Sequence, residues 1–103
     1  MVRVIIEYKA KNVEKLIDVI REVRTEAMKQ RGYIIGETLV SIDDANYVLV
    51  ISTWDSLDDW KAWDTSETRL KLKPRINELL IESYTARTFH YYLIQQKGVR
   101  TIF

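Results

Sequence analysis

The stretch from Asn46 to Trp54, NYVLVISTW, restricts the fold more than any other part of the sequence. Successive side chains of a strand point to opposite faces, and here both alternating sets are largely apolar. One set comprises Tyr47, Leu49 and Ile51, and the other comprises Val48, Val50 and Trp54. A strand with one solvated face alternates between apolar and polar residues, so we expect this strand to be buried on both faces.

The first half of the chain predicts two more strands and one helix. Val2 to Tyr8, VRVIIEY, is rich in β-branched residues and is predicted to be a strand. An amphipathic helix follows, with Asn12 as its N-cap and Gly32 as the glycine that ends it. Tyr33 to Ile42 and Asn46 to Trp54 are separated by a short turn sequence, DDA, and therefore predict a β-hairpin.

The second half predicts an interrupted helical region and a last strand. Ser56 and Asp59 resemble a capping box at the start of a helix. A break is predicted near Thr65 to Ser66, after which helix resumes until Pro74 interrupts or kinks it. Ser83 to Leu93 is predicted to be the last strand because it is rich in threonine and aromatic residues.

The resulting order, β-α-β-β-α-β, predicts a single α+β domain over residues 1–103. Its usual form is the ferredoxin-like fold, a four-stranded antiparallel sheet with both helices on one face. The chain's own helices then leave the second sheet face uncovered. A second copy of the sheet would cover it, so we expect a homodimer that closes a barrel. A short extra strand is also predicted after Gly98.

Composition excludes several classes of partner and site. Sixteen basic and fifteen acidic residues nearly cancel and form no long run of one sign, so neither nucleic acid nor a membrane surface is expected as a partner. No apolar segment approaches the roughly 20 residues that span a bilayer. The absence of cysteine excludes disulfides and thiolate metal sites, and a cytoplasmic location is expected. No metal-ligand spacing or phosphate loop is present.

All three tryptophans lie within ten residues, in WDSLDDWKAW. Helical spacing places Trp60 and Trp63 on one face with Leu57, directed toward the sheet. An aromatic stripe of this kind is most often core, but indoles on a short helix also form the wall of a cleft. Both interpretations remain open at this point.

The sequence GYIIGETLVSIDDANYVLVISTWDSLDDWKAWDTSE resembles the antibiotic biosynthesis monooxygenase domain. The matching features are Gly32-Tyr33, Trp54-Asp55-Ser56, Trp63 and Ser66-Glu67. The resemblance implies a dimeric α+β barrel with a ligand cleft between the sheet and the helices of each subunit. This agrees with the dimer expected from the third strand.

Members of this family include cofactor-independent oxygenases that act on phenolic polycyclic substrates, and a branch that degrades haem. The haem branch uses an asparagine on the first strand, a tryptophan on the second helix and a histidine about ten residues later. Here the corresponding residues are Glu7, Trp63 and Lys73. Haem degradation by that mechanism is therefore not expected, and neither is any cofactor.

The resemblance makes a cofactor-independent oxidation of a small aromatic or quinol-like substrate the leading hypothesis. Such chemistry needs a base that generates a phenolate or enolate, and His90 and Glu7 are the candidates. A lone strand histidine is more often structural, and a strand glutamate often reaches solvent. The rival hypothesis is a non-catalytic or stress-associated barrel that binds a small apolar molecule.

Five residues are predicted to bind the ligand. The three indoles would form the wall of the cleft, and either of two cations would pair with an anionic ligand at its mouth. These residues are Trp54, Trp60, Trp63, Arg69 and Lys73. The alternative for the two cations is solvated helix surface.

Overall fold

The computed structural model describes residues 1–98 and confirms the predicted order of elements, with the second helical region divided in two. The elements are β1 (Val2–Lys9), α1 (Val13–Ala27), β2 (Tyr33–Val40), β3 (Tyr47–Trp54), α2 (Leu57–Asp64), α3 (Glu67–Asn77) and β4 (Ala86–His90). The strands form the predicted antiparallel sheet in the order β2-β3-β1-β4. No helix among the described residues is long and apolar enough to cross a membrane.

Side-chain caps begin each of the three helices. The side chains of Asn12, Ser56 and Ser66 each accept a hydrogen bond from the main-chain N–H three residues further on, at 3.1, 3.1 and 3.2 Å. These bonds satisfy donors that have no partner within the helix. The cap at Ser66 confirms the predicted break after α2, because α3 starts there as a separate helix.

One local prediction is wrong, and one of the two alternatives predicted for Pro74 is excluded. Gly32 does not end α1, since that helix stops at Ala27 and Met28 is its C-cap. The glycine instead has a φ of +84° in the turn before β2, where an added Cβ would lie 2.3 Å from the carboxylate of Asp59. The interruption at Pro74 is also absent, because α3 continues through it to Asn77.

The continuation of α3 has a tertiary cause. A proline cannot donate the hydrogen bond that would bind the carbonyl four residues earlier, which weakens the helix at that point. Beyond it, Ile76 and Leu80 are buried in the core. Burial of these side chains offsets the lost hydrogen bond.

The last strand is shorter than predicted, Ala86–His90 instead of Ser83 to Leu93. Its only partner in the described sheet is β1, and His90 pairs with Val2, the first residue of that strand. The ladder between β1 and β4 therefore ends at the first residue of β1. The extra strand predicted after Gly98 lies outside the described residues.

The register divides the sheet into a helix face and an open face. Val4, Ile6 and Tyr8 of β1 share the helix face with Val48, Val50 and Trp54 of β3. Side chains from all three helices pack there into one core cluster with the strands. The open face carries the alternate residues, which include Ile5, Glu7, Ile35, Glu37, Leu39, Leu49, Ile51 and Phe89. Both sets of β3 residues are apolar, but only one is covered by the helices.

Candidate ligand cavity between the sheet and the helices

A cavity lies within the helix face. Its volume is about 50 Å³. That volume is well below the roughly 300–1,000 Å³ of small-molecule sites, so an aromatic ligand would enter only as the lining side chains move apart. Its apolar lining includes Ile6, Ile20, Val23, Val50, Trp60 and Trp63. The cavity therefore favours a compact apolar or aromatic ligand.

The structure brings two of the three tryptophans to the cavity. Trp60 and Trp63 are 6% and 3% exposed and line it, so they belong to the core and also form a wall. Trp54 lies behind Trp60, with ring centroids 5.9 Å apart, and its indole N–H donates to Ser52 Oγ at 3.0 Å. It supports the wall without reaching the cavity. Leu57, predicted to share their inward face, is partly exposed.

Arg69 is the buried cation of the cavity. Its side chain is only 2% exposed, on the first turn of α3. Nη2 donates to the Tyr84 hydroxyl at a long 3.4 Å, and Nε lies 4.0 Å from Asp64 Oδ1, beyond hydrogen-bonding distance. Among the described residues, Nε and Nη1 have no hydrogen-bond partner. Arg69 thus keeps unused N–H donors in a buried site.

Two tyrosines surround Arg69 at this end of the cavity. Tyr8 is buried on β1, and its ring meets the edge of the Tyr84 ring at a centroid distance of 5.0 Å. Burial raises the pKa of Tyr8 to about 12, although the nearby Arg69 guanidinium acts in the opposite direction. The Tyr8 hydroxyl is therefore protonated at neutral pH and available as a hydrogen-bond donor.

The other end of the cavity holds a second cation. Arg24 of α1 lines it, and its Nη2 donates to the main-chain carbonyl of Glu37 at 3.1 Å. Tyr33 lies beside it, where burial raises the pKa of the phenol and Arg24 lowers it. Among the described residues that line the cavity there is no carboxylate and no histidine. The cavity is therefore apolar with two cations and uncharged hydroxyls.

Three predicted site residues lie elsewhere. Glu7 is on the open face of the sheet, paired with Arg87. His90 is exposed at the end of β4, with Nδ1 3.4 Å from the main-chain oxygen of Tyr91. Lys73 is half-buried and pairs with Asp64 at 3.3 Å. The structure does not bring Glu7, His90 or Lys73 to the cavity.

The sequence hypothesis overlooked Tyr8, Tyr84 and Arg24. Tyr8 alternates with Val4 and Ile6 on the buried side of β1, which was a usable signal. Tyr84 follows the last helix in irregular chain, so no periodicity marks it. Within residues 1–98, no group of three or more histidine, aspartate or glutamate side chains is placed to hold a metal ion.

Comparison with known families gives a match to the model described as antibiotic biosynthesis monooxygenase, over residues 1–74. The chain belongs to this family. The resemblance read from the tryptophan-rich segment is thereby confirmed, although the match extends well beyond that segment at its N-terminal side.

Solved structures share the fold at low sequence identity. A variant of SnoaB from Streptomyces nogalater, described as a cofactor-independent oxygenase, has a TM-score of 0.84 at 14% identity, covering 95% of this chain and 97% of that one. A conserved protein from Methanosarcina mazei Go1 has a TM-score of 0.82 at 14% identity, covering 88% and 92%. A putative antibiotic biosynthesis monooxygenase from Nitrosomonas europaea has a TM-score of 0.79 at 15% identity, covering 90% and 100%. No curated protein matches the sequence.

Proposed function

We propose that this protein is a cofactor-independent monooxygenase that oxidises a small aromatic or quinol-like substrate in the cavity between sheet and helices. The observation that carries the proposal is the apolar cavity walled by Trp60 and Trp63 in a chain of this family. SnoaB, which has the same fold, is described as an oxygenase that needs no cofactor. Fold alone does not fix chemistry, so activity must be measured.

The reaction needs little from the protein beyond binding and orientation. An anthrone-like substrate loses a proton to give a phenolate, whose electrons form a carbon–oxygen bond with O₂. The resulting hydroperoxide loses water, so a CH₂ group becomes a carbonyl, one oxygen atom enters the substrate and the other leaves in water. An apolar cavity favours this sequence because it holds the anion away from bulk water.

The test is oxygen consumption with a panel of hydroquinones and anthrones. We expect turnover above the uncatalysed rate, and a loss of at least about tenfold in Trp63→Ala because the substrate is no longer oriented. The Glu7→Gln and His90→Ala variants test the two predicted bases, which would act only after a movement that brings them to the cavity. No turnover with any substrate would contradict the oxygenase.

One observation favours the non-catalytic alternative. Since no carboxylate or histidine is found among the described cavity residues, the site lacks an obvious general base. A protein that only binds a small aromatic molecule would need none. Ligand binding by calorimetry without oxygen consumption would assign this second function.

We also propose a homodimer formed through the open face of the sheet. Ile35, Leu39 and Phe89 are 54%, 48% and 48% exposed on or beside that face. Exposed apolar area of this kind on a sheet is typical of an interface between subunits. Light scattering at micromolar concentration should give twice the chain mass, and a stable folded monomer would contradict the proposal.

A cytoplasmic location is the last part of the proposal. It is compatible with the lack of cysteine, because a chain without disulfides does not need an oxidising compartment to fold. Cell fractionation tests it, and recovery outside the cytoplasmic fraction would be the contrary result.

A further inference from the structure

We propose that the cavity binds its ligand as an anion, with the guanidinium of Arg69 contacting a carboxylate or phenolate oxygen on a compact aromatic molecule. The inference rests on the proposed function in one respect, since it concerns the same cavity. It adds the chemical class of the ligand: an aromatic anion in place of a neutral quinol.

The charges around Arg69 leave it only partly neutralised. Its nearest described carboxylate is Asp64, whose Oδ1 lies 4.0 Å from Arg69 Nε. The same oxygen lies closer to Lys73 Nζ, at 3.3 Å. One carboxylate is therefore shared by two cations, and a net positive charge remains. Because a buried charge is costly unless it is paired, this arrangement favours a bound anion.

The hydrogen bonds of Arg69 point to the same conclusion. A guanidinium has five N–H donors, and those on Nε and Nη1 have no described partner. Buried donors without acceptors are rare in folded proteins. An oxyanion in the cavity would accept from Arg69, and the protonated hydroxyl of Tyr8 is a second donor beside it.

The other residues that line the cavity determine which kind of molecule can carry the anionic group. Two indoles and several aliphatic side chains suit a flat apolar ring system. Arg24 adds a second positive charge, and no described lining residue is acidic. The cavity thus attracts aromatic anions and disfavours aromatic cations.

An anion site would also explain how a substrate ionises without a protein base. A guanidinium beside a bound phenol stabilises the phenolate and lowers the pKa of that phenol. The substrate can then enter as the phenolate, or release its proton to solvent. The lack of a carboxylate or histidine in the described lining is no obstacle in that case.

The first experiment compares 2-naphthoate with the neutral 2-naphthylmethanol by calorimetry. A charge-assisted hydrogen bond should make the carboxylate bind about 10- to 100-fold more tightly to the wild-type protein. Arg69→Met should abolish that preference while keeping the side-chain volume. Arg75→Met is the matched control, because Arg75 is an exposed arginine of the same helix that pairs with Glu22. It should leave the preference unchanged.

The second experiment measures the pKa of bound 4-nitrophenol from the absorbance of its phenolate. We expect a pKa lowered by about one unit in the wild type and unshifted in Arg69→Met. A preference for naphthoate without this shift assigns a carboxylate site, and the shift without that preference assigns a phenolate site. Circular dichroism verifies folding, and Arg69→Lys should retain part of both effects if Arg69→Met does not fold.

Equal affinity of the wild type for acid and alcohol, together with an unshifted nitrophenol pKa, would overturn the anion site. Retention of both effects in folded Arg69→Met would overturn the role of Arg69. Neither measurement depends on turnover. A protein that prefers the anion but consumes no oxygen would therefore reject the oxygenase and keep the anion site. A protein that consumes oxygen but does not prefer the anion would keep the oxygenase and reject the anion site.

Discussion

The helix face of the sheet buries a cation, Arg69, that keeps two nitrogens without described partners, whereas the open face leaves several apolar side chains exposed. The helix face buries its apolar side chains but leaves Arg69 with unused donors. The open face pairs Arg3 with Glu37 and Arg87 with Glu7, but exposes apolar side chains between them. The two faces therefore call for different partners, a small anion on one and an apolar protein surface on the other.

Leu39→Glu tests whether the open face binds an apolar protein surface, and it has the largest expected effect. In a two-fold dimer the substitution places two carboxylates in the interface, and desolvating them should weaken association by about 4 kcal/mol, or nearly 1,000-fold. Analytical ultracentrifugation measures the dissociation constant. Ile42→Glu is the control, because Ile42 is exposed in the loop after β2. A dissociation constant of Leu39→Glu equal to that of the wild type would show that the open face is not the interface.

Tyr8→Phe tests the polar end of the cavity through pH. Unfolded Tyr8 loses its proton near pH 10, but the folded form retains it to about pH 12. Stability from this group is therefore complete below pH 10 and falls as pH rises from 10 to 12, by at most about 3 kcal/mol.

Urea unfolding at pH 9 and pH 11.5 measures that fall. The decrease should be smaller in Tyr8→Phe than in the wild type, and the other tyrosines contribute equally to both proteins. The same decrease in both would mean that Tyr8 titrates normally in the folded state.

Arg69→Met should stabilise the protein although it destroys the proposed anion site. The wild type keeps a buried guanidinium with two nitrogens that lack described partners, and each unmet donor costs on the order of 1 kcal/mol. An apolar side chain of similar length should raise the free energy of unfolding by about 1–2 kcal/mol. Urea unfolding without ligand checks this. A less stable variant would mean that the charge of Asp64 and the hydrogen bond to Tyr84 already stabilise buried Arg69 well.

The open face and the cavity also differ in how far the sequence determines them. The hairpin, the caps and the two-sided apolar pattern of β3 follow from local spacing, and the structure has all three. The inward orientation of Trp60 and Trp63 was also predicted from local spacing, in this case that of a helix. Strand alternation also separates Glu7 from Ile6 and Tyr8, and the charged residues Arg3, Glu7 and Lys9 mark the face of β1 that the helices do not cover.

Burial of Arg69 does not follow from spacing in RLKLKP alone. The helix restarts at the Ser66 cap, and this start determines which side chains face inward. Arg69 then lies seven residues before the buried Ile76, on the same face of α3. The charge balance is a tertiary property, because Asp64 comes from α2 and Tyr84 from the segment after α3.

Arg87→Met gives the smallest expected effect and completes the comparison of arginines on the two faces. Arg87 and Glu7 are 55% and 41% exposed, so water screens their ion pair. In the Leu39→Glu background, where the face is expected to be solvated, the substitution should lower the free energy of unfolding by less than about 1 kcal/mol, and high salt should remove the difference. The same exchange at Arg69 should act in the opposite direction and be insensitive to salt. A large decrease in the free energy of unfolding of Arg87→Met that does not depend on salt would show that the charges of the open face are as shielded from water as Arg69 is in the cavity.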